Sequence, residues 1–457
     1  VIATPIADIA GVLGATVVGD PTSDVVTADV EVDSRLVAPG GLFVALPGER
    51  TDGHEHAPAA VALGAVAAVV ERALPEVPCL VVPDSLAALQ VLAKELWSRR
   101  PPLTFGITGS SGKTSTKDLL AQLLAHYGPT LAPTGSFNNE VGLPLTALRR
   151  SAATRLAVLE FSSRGVGHIR FLADLVRPDV AIVLNVGSAH LGEFGSAEAI
   201  AEAKGELVEA AGAHVVLNAA DPRVRSMATR TAVPITLFGE GGEVWAEGVR
   251  LDRVGRPSFR LHASGGSAPV QLRLHGEHQV SNALAAAAAA LSSGVADDVS
   301  AVADQLGSAV AQSRWRMEVT DRPDGVTVVN DAYNANPESM RAALGALDAM
   351  SDGHRRRTVA VLGPMAELGE STRERHVDLG RLVGSLGIDQ LLVVGAAAHG
   401  IHDGALAAGA RAQRVADVPE AIDALAGLVR PDDVVLVKAS RSAGLEKVAE
   451  ALLEGGS

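Results

Sequence analysis

Cysteine is nearly missing from this chain: Cys79 is the only one in 457 residues. A disulfide framework and a cysteine-built metal cluster are therefore excluded, and a reducing compartment is the simplest setting. A basic surplus is missing as well. Lys and Arg number 39 against 53 Asp and Glu, a formal net charge of −14. That argues against a nucleic-acid partner, because no cations are left over to neutralise phosphates. The longest apolar run, ALAAAAAAL at 283–291, falls far short of the roughly 20 residues a membrane span needs, so no membrane insertion is expected. The first stretch, VIATPIADIAGVLG, carries Asp8 and no basic leader, so it is not expected to act as a secretory signal. Aromatic residues are scarce, a bias of composition that carries no chemistry.

What remains, 47% apolar and 20% charged residues, fits soluble globular domains, and the length asks for two to four of them. Three regions emerge. The first, 1–101, ends in the proline-containing linker WSRRPPLTF and holds short strand-like runs (GLFVAL, AVAAVV, PCLVVP) between alanine-rich pieces. In the second, 102–313, the apolar runs LTFGIT, RLAVLEF, DVAIVLN, HVVLN and PITLF alternate with helical stretches. Continuous apolar strands separated by helices predict a parallel sheet covered on both faces. SFRLHA and PVQLRLHG, at 258–276, alternate more and predict a hairpin. The third region, 314–457, repeats the α/β pattern with GVTVVND, TVAVLG, QLLVVG and DVVLVKAS, a smaller doubly wound domain.

Ligands in such sheets bind beyond the carboxyl ends of the strands. After LTFGIT comes GSSGKTS, with Gly109, Ser110, Ser111, Gly112, Lys113, Thr114 and Ser115 leading into a helix. Backbone N–H groups and the helix dipole can hold phosphate there, Lys113 can reach the terminal phosphates, and Thr114 can ligate Mg²⁺. The loop is shorter than the usual phosphate-binding pattern, which would need glycine where Ile107 stands. Glu160 closes RLAVLE and could complete a Mg²⁺ shell. His190 follows the next strand, in VGSAHLGEFGS, although Mg²⁺ prefers oxygen ligands.

The helix after it, GSAEAIAEAKGELVEAAG, has an ammonium out of place. Ala197, Ile200, Ala201, Leu207, Val208 and Ala211 form one apolar stripe with Lys204 inside it, and Glu198, Glu202, Glu206 and Glu209 lie mostly on the other side. No carboxylate stands three or four residues away to pair with Lys204. Snorkelling is the plain explanation. The chemical alternative is that a buried lysine sheds its proton and adds CO₂, giving a carboxylate-like carbamate that could bind a metal.

Segments spread over almost the whole chain resemble the Mur ligase family: GITGSSGKTS, NNEVGLPLT, NVGSAHLGEFGS, EAKGEL, GEHQVSNALAAAAA, NDAYNANPESM, MAELGE and KASR, with VDSRLVAPGGLFVALPGERTDGHEHAPAAVALGA in the first region. AHLGEFGS, YNANPESM and MAELGE most resemble the branch that adds D-alanyl-D-alanine to UDP-N-acetylmuramoyl-tripeptide. The resemblance implies a cytoplasmic, monomeric three-domain enzyme: a UDP-substrate-binding domain, a central ATP-binding domain and a C-terminal Rossmann-like ligase domain. It implies that ATP phosphorylates the peptide's carboxylate and that an amine then displaces the phosphate, with two Mg²⁺ ions.

Carried over residue by residue, Lys113 matches the lysine on the ATP phosphates, Thr114 and Glu160 the ligands of one Mg²⁺, and His190 a ligand of the second. Lys204 matches the carbamylated lysine. Asn282 matches an adenine contact, although it also reads as a helix-start cap. Arg316 matches an arginine at the γ-phosphate, and Asp331 a nucleotide contact. Tyr333, Asn334 and Asn336 fall in the same nucleotide-side loop, where Asn336–Pro337 also reads as a cap followed by proline at the first helical position. Ser34, Arg35, Asp52, Gly53 and His54 match the UDP-sugar end. Asn138, Asn139, Ser162, Arg164, Lys438, Ser440 and Arg441 are the remaining substrate-side candidates. Such a division of ligands implies domain closure before catalysis.

Three departures stand out. EFSSRGVGHI replaces the E-M-G-A-R-G pattern, and its Ser162–Ser163 pair is more like the sister ligase that adds one amino acid, diaminopimelate or lysine, to a UDP-dipeptide. Trp315 stands where glycine usually precedes the arginine, and Ala439 where KASR usually has glycine. An alanine at a left-handed glycine position would cost stability. Against the sister enzyme, no DNPR-type loop is found in the third region. A folylpolyglutamate synthetase-like enzyme would share the short loop but usually lacks this first domain. A non-catalytic nucleotide-binding homologue would have lost Lys113, Glu160, His190 or Lys204, and all four are present.

Overall fold

The computed structural model describes residues 2–48, 51–187 and 191–455. Three α/β sheets follow one another along the chain. The first has five strands in the order Thr16–Val18, Cys79–Val81, Ala67–Val70, Leu42–Val44, Val30–Glu31, all parallel except the first. The central sheet has six parallel strands in the order Ile235–Phe238, His214–Asn218, Val180–Val183, Leu103–Thr108, Leu156–Glu160, Thr130–Leu131. The third has six in the order Glu318–Asp321, Thr327–Asn330, Val434–Lys438, Thr358–Leu362, Gln390–Val394, Ala412–Val415, with only the first antiparallel.

Strand order reverses on either side of Leu103–Thr108, so a crevice opens beyond its carboxyl end. The helix Lys113–Ala125 springs from that point and packs on the buried helix His278–Ser292. The alanine run on the latter has no large side chains to hold its neighbours off, and Ala285 to Ala290 are fully buried. One apolar core runs through the first and central regions, joining Leu42 and Leu92 to Leu143, Leu172 and Leu207. No described helix is long and apolar enough to cross a membrane.

Several expectations need correction. The predicted hairpin is part of a three-stranded antiparallel sheet, because Trp245–Leu251 pairs with Pro257–Ala263, which pairs with Gly266–Gln271. Edge strands Glu318–Asp321 and Ala412–Val415 carry too little apolar character to be found by pattern. Asn282 is no helix-start cap, since its helix begins at His278. Glu206 does not face water: it is buried and accepts from the backbone N–H groups of Gly167 and Arg170, at the start of the helix His168–Leu175.

Candidate active site

The phosphate-type loop is held from behind. Asn185, just past the strand Val180–Val183, accepts from Ser111 N through Oδ1 at 2.9 Å and donates through Nδ2 to Ser111 O at 3.2 Å. Its own carbonyl accepts from Ser110 N at 3.2 Å. Those bonds leave the N–H groups of Gly112, Lys113 and Thr114 with no acceptor among the described residues, at the positive end of a helix. Two glycines are required by shape. A Cβ on Gly109 would lie 2.9 Å from Leu184 Cβ, and one on Gly112, whose φ is +81°, would lie 2.6 Å from Asn282 Oδ1. The absence of glycine at 107 is explained by the same strand: Ile107 is fully buried in the sheet.

Lys113 lies in this loop's mouth, its Nζ 2.5 Å from Gly109 O. Burial pushes its pKa below the usual lysine range, the Glu160 carboxylate pulls it back up, and the Arg316 guanidinium pushes it down again. Glu160 is 0% exposed at the end of its strand. Its Oε2 accepts from Ser136 Oγ at 3.1 Å and Asn138 Nδ2 at 3.2 Å, while its Oε1 has no partner. The loop bearing Ser136 and Asn138 is tied to the phosphate-loop helix by Lys117, a buried ammonium that donates to Pro133 O at 2.6 Å and Gly135 O at 3.1 Å and pairs with Asp118 at 2.7 Å.

Lys204 is 4% exposed, and its Nζ forms no hydrogen bond or ion pair with a described residue. It does not snorkel. Burial, and then the Lys113 charge, hold its pKa well below the usual lysine range, because desolvation disfavours the charged form. His190 lies outside the described residues.

The third region closes the other side. A cavity of about 360 Å³ is lined by the phosphate loop from Ser110 to Ser115, by Asn138, Asn139, Ser162, Ser163 and Arg164, and by Arg316, Asp331, Tyr333, Asn334, Asn336 and Lys438. Arg316 lies over the Tyr333 ring at 4.1 Å, with its Nε buried and unpartnered. Asp331 is held by Met317 N at 3.1 Å and Lys438 Nζ at 2.6 Å. Asn336 caps the helix Pro337–Met350 in a reciprocal pair with Ser339, and its Nδ2 also donates to Ser110 O in the phosphate loop at 3.3 Å. Gly192 N donates to Glu367 O at 3.1 Å across the same boundary.

Other candidates also bond to the protein itself, and of these Asn139, Asn282 and Lys438 line the cavity. Lys438 gives its remaining bonds to the Asp331 and Asn334 carbonyls, so it positions Asp331 rather than offering a free ammonium. Buried Ser440 accepts from Ala366 N at 2.8 Å, and Arg441 pairs with Glu446 at 2.7 Å. Asn139 accepts from Gly142 N at 2.8 Å, at the start of the helix Gly142–Leu148. Asn282 donates to Gln279 Oε1 at 2.8 Å and accepts from Thr116 Oγ1 at 3.2 Å, which sets it under the phosphate loop.

Ser34, Arg35, Asp52, Gly53 and His54 lie on two turns of the first region, and none lines the cavity. His54 is buried with Nδ1 2.6 Å from Asp52 Oδ1 and Nε2 accepting from Glu71 N at 2.8 Å, which leaves no ring nitrogen for a ligand. The sequence reading missed Asn185, Ser136, Lys117 and Gln279. Asn185 alone had a signal, its place at a strand end inside NVGSAH.

Comparison with known proteins matches three family descriptions to this chain: "Mur ligase family, catalytic domain" over residues 28–95, "Mur ligase middle domain" over 107–290, and "Mur ligase, glutamate ligase domain" over 315–441. A UDP-N-acetylmuramoyl-tripeptide--D-alanyl-D-alanine ligase of Mycobacterium tuberculosis is 46% identical, with 98% of this chain and 97% of that protein covered. The protein of the same name from Escherichia coli is 35% identical over 95% and 96%. Among solved structures, MurF from Acinetobacter baumannii superposes with a TM-score of 0.88 at 32% identity, covering 99% and 100% of the two chains. MurF ligase from Thermotoga maritima in complex with ADP gives 0.80 at 31%, covering 94% and 98%.

Proposed function

The chain belongs to the Mur ligase family, and from that premise we propose that it joins D-alanyl-D-alanine to UDP-N-acetylmuramoyl-tripeptide, driven by ATP, in peptidoglycan precursor synthesis. The observation that carries this reading is the single cavity in which the phosphate loop, Lys113 and Ser162–Arg164 face Arg316 and Asp331. A carboxylate is a poor electrophile at neutral pH. Transfer of the γ-phosphoryl group to the tripeptide's terminal carboxylate makes a mixed anhydride and releases ADP. The dipeptide's amine then attacks the carbonyl carbon, loses a proton and expels phosphate. The free loop N–H groups hold the phosphates, while Lys113 and Arg316 offset negative charge on the group in transit. Asn336 links the C-terminal domain to the phosphate loop, so closure and phosphate binding act together.

The side chains fit a Mg²⁺ ion. Glu160 Oε1 is buried without a partner, and Thr114 is buried at the loop's edge. Bound there, the ion would polarise the transferring phosphoryl group. A second ion is part of the proposal, held by His190 and by Lys204 as its CO₂-derived carbamate. The buried, unpaired amine supports that modification, because it turns a disfavoured cation into an anion with ligand oxygens. The reading includes a cytoplasmic monomer, as the family resemblance implies.

The test is phosphate release from ATP and Mg²⁺ with UDP-N-acetylmuramoyl-tripeptide, with and without D-alanyl-D-alanine. Release should need both. Lys204→Ala should abolish it, and short-chain carboxylic acids should restore part of it. Release with the UDP-dipeptide and a single amino acid instead would overturn the substrate assignment.

A further inference from the structure

We propose that Trp315 is a positioning residue for Arg316: its ring, seated against the guanidinium groups of Arg441 and Arg314, holds the strained backbone that sets Arg316 in the wall of the cavity. The proposal rests on the role read above for Arg316, which is to offset charge on the phosphoryl group in transit.

The backbone on either side of Arg316 is unusual. Trp315 has φ of +57° and Met317 of +50°, so two bulky residues in the left-handed region flank the arginine. Such conformations persist only where the surroundings over-determine them, and they gather at functional sites. Here three backbone groups are tied down. Trp315 N donates to Glu318 Oε2, Trp315 O accepts from Tyr333 N, and Met317 N donates to Asp331 Oδ1, each at 3.1 Å. Met317 is also buried in the apolar core that includes Met340 and Leu344.

The Trp315 ring is the anchor on the other side. The guanidinium carbon of Arg441 lies 4.1 Å from the ring centroid and that of Arg314 5.1 Å, both within cation–π range. Each cation has a carboxylate on the last helix, Glu446–Glu454. Arg441 pairs with Glu446 at 2.7 Å, and Arg314 stands 3.8 Å from Glu450. The ring is thereby referred to the body of the C-terminal domain.

Between these two anchors Arg316 lines the cavity. It lies over the Tyr333 ring at 4.1 Å, and its Nε is buried without a partner among the described residues. A guanidinium fixed beforehand need not be ordered while the phosphoryl group moves, so the clamp acts on the rate of transfer. Glycine takes positive φ without steric cost but gains freedom. Trp315→Gly therefore suits the fold and releases the clamp, which separates folding from positioning.

The experiment measures kcat and KM for ATP by phosphate release with UDP-N-acetylmuramoyl-tripeptide and D-alanyl-D-alanine. Trp315→Gly should lower kcat about tenfold and leave KM for ATP within about twofold of the wild type. Trp315→Phe, which keeps a ring, should retain most of kcat. In an Arg316→Ala background, adding Trp315→Gly should cost nothing further, because the ring acts through the arginine. Wild-type kcat in Trp315→Gly overturns the proposal, and so does the same fold loss in both backgrounds. Wild-type kcat in Arg316→Ala overturns the role read for the arginine, and this proposal with it.

Discussion

The Lys438 ammonium lies 2.6 Å from the Asp331 carboxylate, at the carboxyl ends of two paired strands of the C-terminal sheet. Lys438 is buried, and no described group other than Asp331 and the Asn334 carbonyl accepts from it. Removing the cation leaves a largely buried carboxylate uncompensated. Lys438→Met should therefore lower stability by about 3–5 kcal/mol, measured by urea unfolding. Adding Asp331→Asn should recover part of that loss. If the double variant is no more stable than the single one, the ion pair does not hold this part of the sheet.

Gly112→Ala tests the shape of the phosphate loop. The new methyl would meet Asn282 Oδ1 at 2.6 Å in a backbone with φ of +81°. Left-handed strain alone costs about 1–2 kcal/mol, so ADP affinity should fall about tenfold or more, read by titration calorimetry. Unchanged affinity would mean that Asn282 moves aside freely.

Lys204 sets a pH dependence whose sign follows from its burial. Its folded pKa is depressed, first by desolvation and then by Lys113. The unfolded chain keeps the proton up to about pH 10.4. Between the two pKa values the unfolded state binds more protons, so this lysine's contribution makes stability rise with pH across that window. In CO₂-free buffer, Lys204→Met should be more stable than the wild type at neutral pH, with a gap that narrows as pH rises. A gap that stays constant would show that the amine carries no such penalty.

The strand–loop–helix around GSSGKTS was legible because period, glycine placement and a following helix all agree there. Lys204 was legible because a charge broke an apolar stripe. Glu206 was not: three or four residues of helix period cannot show that a neighbouring helix needs its first N–H groups capped. The same holds for Lys438, whose partners Asp331 and Asn334 come from folding, and for the Glu71 N–H that His54 accepts, whereas the other partner of His54, Asp52, stands two residues away. Trp315 shows a departure with a structural counterpart. It takes φ of +57° where the family pattern has glycine, an uncommon conformation for a bulky residue, and its ring stacks under Arg441 at 4.1 Å. For Ala439 the expected strain is absent, since the residue is not among those with positive φ.

Ala439 instead presents a question of tenancy. Its methyl is fully buried, and a methyl built on Gly363, at the end of the neighbouring strand Thr358–Leu362, would lie 2.7 Å from it. The space between these two positions admits one methyl. With alanine at 439, position 363 is held to glycine; with glycine at 439 that clash is gone, and a methyl at 363 meets only the Leu445 side chain closely, its Cδ1 at 3.0 Å. The two sites are therefore one heritable unit, and a change at either reads correctly only when its counterpart is read too.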